Sequence, residues 1–237
     1  MAAERQDLVC VISCEHATYH IPTEFSALFP DADVLKSHRG WDAGAAGLAR
    51  RLARDLLQQT DTGPFYAEVS RLLADANRSA HNYRVHSPAV RALPKPARTA
   101  ILEAWHQPHQ QRVAAAVEAQ LNAGHRVLHI GCHSFTPALD GVVRNADIGL
   151  QYDPKHSGEQ GFSIAWQSAL MAITTLRVRR NYPYTGFADG LTTLLRRRFG
   201  ERYIGIELEL NQALLEHGAF PTKIMNAVSV SLQKTLQ

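Results

Sequence analysis

The chain has 237 residues, 45% of them hydrophobic and 20% charged, and it carries a formal net charge of +3. This length is enough to bury a sizeable core, and the composition is ordinary for a soluble globular protein. No stretch approaches the roughly 18 uncharged apolar residues that cross a bilayer, and the start MAAERQD is too polar for a secretory signal. The net charge is small, whereas binding of nucleic acids would require a contiguous basic face on the protein. We therefore expect a cytoplasmic protein that binds neither membranes nor nucleic acids.

Short β-rich apolar runs alternate with segments of helical period. In chain order, the sequence predicts a strand over 7–14, a helix over 41–60, a strand over 64–73, a helical segment over 97–123, strands over 125–135 and 146–152, a helix over 158–174, an extended segment starting at 176, a helix over 187–199, a strand over 203–210 and a helix over 221–236. Pro108 predicts a kink or break within its helical segment, and Gly124 predicts the end of that segment. The alternation favours an α/β sandwich with a largely parallel sheet. The chain shows no low-complexity linker and no internal repeat, so we expect one domain over 1–237.

The three cysteines, Cys10, Cys14 and Cys132, are odd in number and lie in apolar runs. This pattern suits buried thiols in a reducing compartment better than a disulfide framework. Thiolate ligation of a metal is chemically possible for Cys14 and Cys132. We expect both to pack in the core instead.

Twelve histidines are an unusual number for this length. His16 and His133 directly follow apolar strands, and ligands of open α/β sheets bind outside the carboxyl ends of the strands. Either histidine alone is compatible with a structural role, but together they suggest a metal site, and catalytic zinc sites commonly use three protein ligands. Asp42 is the leading third ligand, with a helix N-cap as its plain alternative. His38, four residues before Asp42, is a candidate for a further metal ligand or for a residue that supports one of the ligands.

Glu207 and Glu209 stand two apart in the strand sequence GIELEL and therefore share one face. Burial of a carboxylate among apolar residues is unfavourable in free energy unless the carboxylate is paired, hydrogen-bonded or near a cation. A glutamate beside a metal site can accept the proton of a water molecule and later protonate a leaving amine. Glu209 lies nearer the end of the strand and is the better candidate for this role, whereas a half-exposed surface position suits Glu207 more easily.

Two segments carry arginines suited to a small acidic substrate, because guanidinium groups bind carboxylates in a bidentate fashion. The first segment, 70–79, supplies Arg71, Asp75, Asn77 and Arg78, and the second, 178–186, supplies Arg179, Arg180, Asn181 and Tyr184. Most arginines of any protein are solvated surface charges, so each one alone is weak evidence. The turn NYPYTG is the stronger indication, since loops on a rigid scaffold often carry function.

Six motifs, in this order, resemble the N-formylglutamate amidohydrolase family: CEHATYHIP, HRGWDAGA, SRLLADANR, HSFTP, RRNYPYTG and IELELNQ. They run from about residue 10 to residue 212 and cover most of the chain. The resemblance implies a three-layer α/β/α sandwich of the zinc-exopeptidase type with a mostly parallel, mixed sheet. It also implies metal-dependent hydrolysis of an N-acyl amino acid, which in the type member converts N-formyl-L-glutamate to formate and glutamate during amino-acid catabolism.

The resemblance assigns roles residue by residue. His16, Asp42 and His133 match the first histidine, the WD aspartate and the HS histidine of the family, and Glu209 matches the glutamate of its E-x-x-Q ending. The matches to its SRLxxDxNR and RNxPY stretches are Arg71, Asp75, Asn77, Arg78, Asn181 and Tyr184. The branch that acts on formylglutamate more often reads PHTG at the first histidine, whereas this chain reads EHAT, as in a broader and less characterised branch.

Together these observations predict a zinc-dependent amidohydrolase, in which another divalent metal can take the place of Zn²⁺. His16, Asp42 and His133 would hold the metal, Glu209 would act as the catalytic base, and the substrate would be bound by Arg71, Asn77, Arg78, Arg180, Asn181 and Tyr184. One alternative is a zinc peptidase or amidase of different acyl specificity, and another is a non-catalytic protein that binds a carboxylate ligand. The sequence lacks GxxxxGK[ST], GxGxxG and GxSxG motifs, which argues against nucleotide-dependent and serine-hydrolase chemistry. It predicts no oligomeric state.

Overall fold

A computed structural model of the chain describes residues 8–56 and 63–237. Its eight strands are β1 (Leu8–Cys14), β2 (Phe65–Tyr66), β3 (Arg126–Phe135), β4 (Ala138–Leu139), β5 (Val142–Val143), β6 (Ile148–Gln151), β7 (Val178–Arg180) and β8 (Tyr203–Asn211). Its eight α-helices are α1 (Ala32–Lys36), α2 (Ala45–Asp55), α3 (Pro88–Arg91), α4 (Lys95–Ile101), α5 (Gln107–Asn122), α6 (Ser157–Ile173), α7 (Leu191–Phe199) and α8 (Thr222–Leu236). These counts apply to the described residues.

Six strands form one twisted sheet in the order β2-β1-β3-β8-β6-β7, and β4 pairs with β5 in a separate hairpin. All neighbours in the sheet are parallel except β6 and β8, which are antiparallel. The prediction of an α/β fold with a mostly parallel, mixed sheet is confirmed. The single domain over 1–237 stays a prediction.

Alternating side chains divide the core between the two faces of the sheet. Ile12 and Ile130 point to one face, where they pack in a cluster with α2, α6 and α8. Val11 and Val127 point to the other face and pack with α5 and α7. The fold therefore has three layers, as expected of a sheet that is apolar on both sides.

The face toward α5 and α7 becomes polar near the carboxyl ends of the three central parallel strands. Glu15, His133 and Glu209 are buried there, whereas Cys14 and Cys132 lie in the apolar cluster on the opposite face as free thiols. The expected core packing of these two cysteines is confirmed. The polar edge is where the chain assembles a site.

Most predicted elements match the structure within a few residues. The segment over 97–123 divides into α4 and α5 at a π-helical turn, Leu102–His106, with Pro108 at the start of α5, and Gly124 ends it at a φ of +94°. The last residues of the helix predicted over 41–60, like the first residue of the strand predicted over 7–14, lie outside the described residues.

The strand predicted over 64–73 is mostly wrong, because only Phe65–Tyr66 pair with the sheet. Beyond them the chain forms turns, and the amides of Ser70 and Asp75 bond the carbonyl groups of His20 and Val85. The apolar residues that suggested a strand, Val69 and Leu73, pack in a separate cluster with α3 and α4. The apolar residues of this segment are therefore explained by the packing of a buried loop and not by a strand.

Among the described residues, no helix is long and apolar enough to cross a membrane. The cytoplasmic location stays a prediction.

Candidate metal centre and active site

Asp42 lies in the turn before α2, and its side chain does not cap that helix. The N-cap is Gly44, with a φ of +81°. The Oδ2 atom of Asp42 instead lies 3.2 Å from His16 Nδ1 and 2.9 Å from His133 Nδ1. One potential ligand atom from each of the three residues lies within 4.8 Å of the others, and all three residues are buried. The predicted ligands therefore meet at one point.

The far ring nitrogen of each histidine faces another carboxylate. His16 Nε2 lies 2.7 Å from Asp75 Oδ1, and His133 Nε2 lies 3.1 Å from Glu15 Oε2. Histidines that bind metals usually donate their other N–H group to a carboxylate, carbonyl or water, which fixes the tautomer. In that tautomer both Nδ1 lone pairs point at the same Asp42 oxygen. A cation between these atoms would relieve this arrangement, and two histidines and a carboxylate form a ligand set that suits Zn²⁺ with a fourth position left open.

The electrostatics of the cluster also favour a cation. Burial alone would raise the pKa of Asp42, but His16 and Arg71 hold that pKa far below its usual range. Burial alone would lower the pKa of His133, but the neighbouring carboxylates of Asp42 and Glu15 raise it well above its usual range. The negative charges of carboxylates that stabilise a proton on a buried imidazole also attract a metal cation to the same position.

Glu209 lies on β8 directly opposite His133 on β3. Its Oε2 atom is buried and has no hydrogen-bond partner in the described part of the chain. Burial, together with the charges of Asp42 and Glu207, raises its pKa to about 7. A carboxylate with such a pKa is well matched to general base chemistry near neutral pH.

Glu207 differs from Glu209 in its contacts. Its Oε1 atom accepts hydrogen bonds from Asn77 Nδ2 and Thr192 Oγ1, both at 3.2 Å. Because Glu207 is held by these neighbours, Glu209 is the better placed of the two to exchange a proton. Glu207 is also buried, which differs from the half-exposed position that the sequence suggested for it.

A cavity of about 570 Å³ opens over the metal cluster and Glu209. Its lining includes four of the predicted substrate-binding residues, Arg71, Asn77, Arg78 and Tyr184, and also His38 and Arg84. A larger groove of about 810 Å³ lies between the ends of α6 and α8, but no histidine or arginine lines it. The smaller cavity is therefore the candidate active site.

Neighbouring groups hold the cationic and phenolic side chains of this cavity in place. Arg71 Nη1 donates to Asp42 Oδ1 at 3.0 Å, and Arg78 Nη1 donates to the carbonyl of Asp189 at 2.5 Å. The Tyr184 hydroxyl accepts from Arg144 Nη2 at 2.8 Å, and the Arg144 guanidinium stacks 4.9 Å from the Tyr184 ring. The wall of the cavity thus presents oriented donors to an anionic ligand.

Two further predicted substrate-binding residues lie outside the lining of this cavity. Arg180 is exposed and donates to the Tyr152 hydroxyl at 3.2 Å. The Asn181 side-chain oxygen accepts from the amides of Tyr152 and Gly186, at 3.0 and 3.1 Å. Asn181 thereby stabilises the turn that presents Tyr184, while Arg180 faces solvent.

Sequence reasoning missed a second group of buried polar residues behind the metal cluster. His109 on α5 is 1% exposed, and its Nε2 lies 3.3 Å from Glu15 Oε1. The sequence places Glu15 after the first strand, beside His16, but does not pair it with His109, and it does not indicate Arg144. The available signal was the pair His106 and His109, which are three apart in a helical segment, and both prove to be buried.

A sequence model of the N-formylglutamate amidohydrolase family matches residues 8–216. The chain belongs to this family. Its structure is similar to that of an N-formylglutamate amidohydrolase from Ralstonia eutropha JMP134, with a TM-score of 0.70, 17% identity, and coverage of 99% of this chain and 94% of that one. At this identity the likeness concerns the fold.

Other solved structures resemble this N-formylglutamate amidohydrolase family member. A gene product of Agrobacterium tumefaciens has a TM-score of 0.81 and 27% identity, covering 98% of this chain and 91% of that one. A metallo-carboxypeptidase from Burkholderia cenocepacia overlaps weakly, with a TM-score of 0.39. No curated protein matches the chain.

Proposed function

We propose that this family member is a zinc-dependent amidohydrolase that cleaves the amide bond of an N-acyl amino acid, with N-formyl-L-glutamate as the first candidate substrate. The observation that carries the proposal is the convergence of His16, Asp42 and His133 beside Glu209, whose Oε2 is unpartnered within the described residues. Membership of a hydrolase family supports the reaction type.

The three ligands would hold the metal through His16 Nδ1, His133 Nδ1 and an Asp42 carboxylate oxygen. A divalent ion in this position supplies Lewis-acid chemistry, because it lowers the pKa of water and polarises a carbonyl group. The buried carboxylates of Asp75 and Glu15 keep the two imidazole rings oriented for that role.

Glu209 would transfer a proton from the attacking water to the amide nitrogen. Its carboxylate accepts a proton from the attacking water as the new C–O bond forms at the acyl carbon. The same group then delivers that proton to the amide nitrogen as the C–N bond breaks, and the carboxylic acid so formed passes its remaining proton to the released amine, so that the products are a carboxylate and a free amino acid with a protonated amine. The buried position of Glu209 and its raised pKa support this exchange near neutral pH.

Arg71 and Arg78, together with Asn77 and Tyr184, would bind the carboxylate groups of the substrate. Guanidinium groups suit this role because they form charge-assisted, bidentate hydrogen bonds with carboxylates. All four residues line the cavity. Arg180 and Asn181 stay predictions of the sequence, since they lie outside that lining.

The test combines metal analysis with a substrate panel. The purified protein should contain one equivalent of zinc, or bind one of a substitute divalent ion. It should hydrolyse N-formyl-L-glutamate with a higher kcat/KM than N-acetyl-L-glutamate, N-formyl-L-leucine or a dipeptide. A preference for another member of the panel would show an amidase or peptidase of different acyl specificity. The absence of bound metal would contradict the enzymatic proposal and favour a carboxylate-binding protein.

A further inference from the structure

A row of three buried side chains extends from the metal cluster to two residues that do not belong to the lining of the cavity. It begins at His133 on β3, passes through Glu15 after β1 and ends at His109 on α5. Their exposed fractions are 2%, 2% and 1%. The three elements belong to different parts of the chain, so only tertiary packing brings the side chains together.

Both oxygens of Glu15 are engaged within this row. Oε2 lies 3.1 Å from His133 Nε2, and Oε1 lies 3.3 Å from His109 Nε2. His109 Nε2 makes a hydrogen bond with Oε1, whereas His133 Nε2 contacts Oε2 but has no hydrogen-bond partner among the described residues. Glu15 therefore bridges two imidazole rings through close contacts with both.

The backbone also makes room for this bridge. Gly131 lies two residues before His133, and a Cβ atom at this position would lie 3.3 Å from Glu15 Oε2 and 3.6 Å from His133 Nε2. A side chain here would crowd the contact between the carboxylate and the imidazole. The glycine leaves the space that the bridge occupies.

A buried ion pair is weak evidence for stability, because well-packed apolar residues of similar volume often serve a fold equally well or better. The arrangement is better explained by its effect on His133. A hydrogen bond donated by Nε2 to Glu15 Oε2, 3.1 Å away, would fix the ring orientation and place the lone pair on Nδ1, which is the atom that faces Asp42 and the proposed metal position.

We propose that Glu15 and His109 form an outer pair that positions His133 as a metal ligand and raises the metal affinity of the site. His109 acts through Glu15, and Glu15 acts through His133, so neither residue touches substrate. The inference rests on the metal site of the proposed function, but it is independent of the identity of the substrate.

Metal affinity of the apoprotein tests the inference without a measurement of turnover. Zinc binding is measured by competition with a chelator, and Co²⁺ in place of zinc reports ligand geometry through its visible absorption spectrum. Glu15→Gln keeps the shape of the side chain but has one acceptor oxygen for two histidines. It should weaken metal binding by about 10- to 100-fold, as is typical when the outer partner of a metal ligand is lost.

Two substitutions of His109 provide a second test that leaves Glu15 itself unchanged. His109→Leu removes the donor to Glu15 Oε1 and should weaken metal binding in the same direction. His109→Gln, whose amide N–H group can replace the Nε2–H group, should restore affinity and the Co²⁺ spectrum. If Glu15→Gln does not fold, this comparison still decides the question.

His129→Asn is the matched control. His129 is also buried on β3, but its ring bonds Ser13 Oγ at 2.7 Å and Tyr203 OH at 2.6 Å. The variant should lose thermal stability and keep the metal affinity of the wild type. An equal loss of affinity in this control would attribute the effect to general damage of the core and overturn the inference.

Wild-type affinity and an unchanged Co²⁺ spectrum in both Glu15→Gln and His109→Leu would overturn the inference and leave the proposed function intact. The opposite result is equally distinct. If the wild type binds metal in a Glu15-dependent way but hydrolyses no N-acyl amino acid, the inference stands and the proposed function fails. A wild type without divalent-metal binding would overturn both.

Discussion

His133 on β3 lies directly opposite Glu209 on β8 in the parallel register of the central sheet. One strand therefore supplies a proposed metal ligand, and its neighbour supplies a carboxylate oxygen without a hydrogen-bond partner among the described residues. Because directly opposed residues of neighbouring strands project from the same face, this pairing holds Glu209 beside the proposed metal position without the help of a flexible loop.

Glu209→Gln should keep the bound metal and lower kcat by about 100- to 10,000-fold, which is the range that general acid–base catalysis contributes. The amide has the size of the carboxylate but cannot accept the proton. Steady-state kinetics and metal content are measured on the same preparation. Glu207→Gln serves for comparison and should cost less, because Glu207 holds Asn77 and Thr192. Full activity in Glu209→Gln would remove Glu209 from the mechanism.

The raised pKa of Glu209 makes a prediction about the stability of the apoprotein. The pKa of the group is about 7 in the folded chain and 4.5 in its ordinary state. A carboxyl group whose folded pKa is raised favours the folded state below its unfolded pKa, and that contribution is lost as the pH rises through the folded pKa. Between pH 4.5 and about 7 the wild-type apoprotein should therefore lose stability relative to Glu209→Gln.

Chemical denaturation of the metal-free wild type and variant across this pH range measures the difference. A stability difference that stays constant with pH would show that Glu209 titrates normally in the folded chain. The measurement requires the apoprotein, because a bound divalent cation would lower the pKa of a nearby carboxyl group.

Arg78→Leu should raise the KM for an acidic N-acyl amino acid by about 10- to 100-fold, since a hydrogen bond to a charged group contributes about 1.5–3 kcal/mol. Its effect on kcat should be smaller, because Arg78 is proposed to bind carboxylate and not the scissile bond. Arg54→Leu is the control for the loss of one positive charge, as Arg54 is exposed on α2 and pairs with Asp55. Equal KM values for Arg78→Leu and wild type would exclude Arg78 from substrate binding.

Metal removal should destabilise the protein. A ligand that binds only the folded state at about 100 times its Kd adds about 2.7 kcal/mol of stability. Dialysis against a chelator should therefore lower the Tm, and zinc should restore it. Asp42→Asn should abolish most of this response, because the amide removes the charge that faces both histidines. A Tm that does not respond to zinc in the wild type would speak against a metal at this site.

The sequence by itself determined most of the elements and which residues are candidate metal ligands. Apolar runs and helical periodicity are local properties, so β1, β3, β8 and the longer helices could be placed from them with errors of a few residues. The position of His16 and His133 after apolar strands predicted their meeting, because parallel strands end at one edge of a sheet. Among the predicted elements, the strand over 64–73 is mostly wrong, since an apolar loop that is buried has the same sequence pattern as a buried strand.

Tertiary structure decided which partners each polar group has. Glu207 and Glu209 share one face of their strand, yet Asn77 and Thr192 donate hydrogen bonds to Glu207, whereas Glu209 Oε2 has no hydrogen-bond partner in the part of the chain that the structure describes. Glu15 meets His109, 94 residues away, through the packing of α5 on the sheet. Hydrogen bonding and desolvation depend on neighbours that are distant along the chain, and for this reason the different partners of Glu207 and Glu209 and the contact of Glu15 with His109 became visible only in the folded protein.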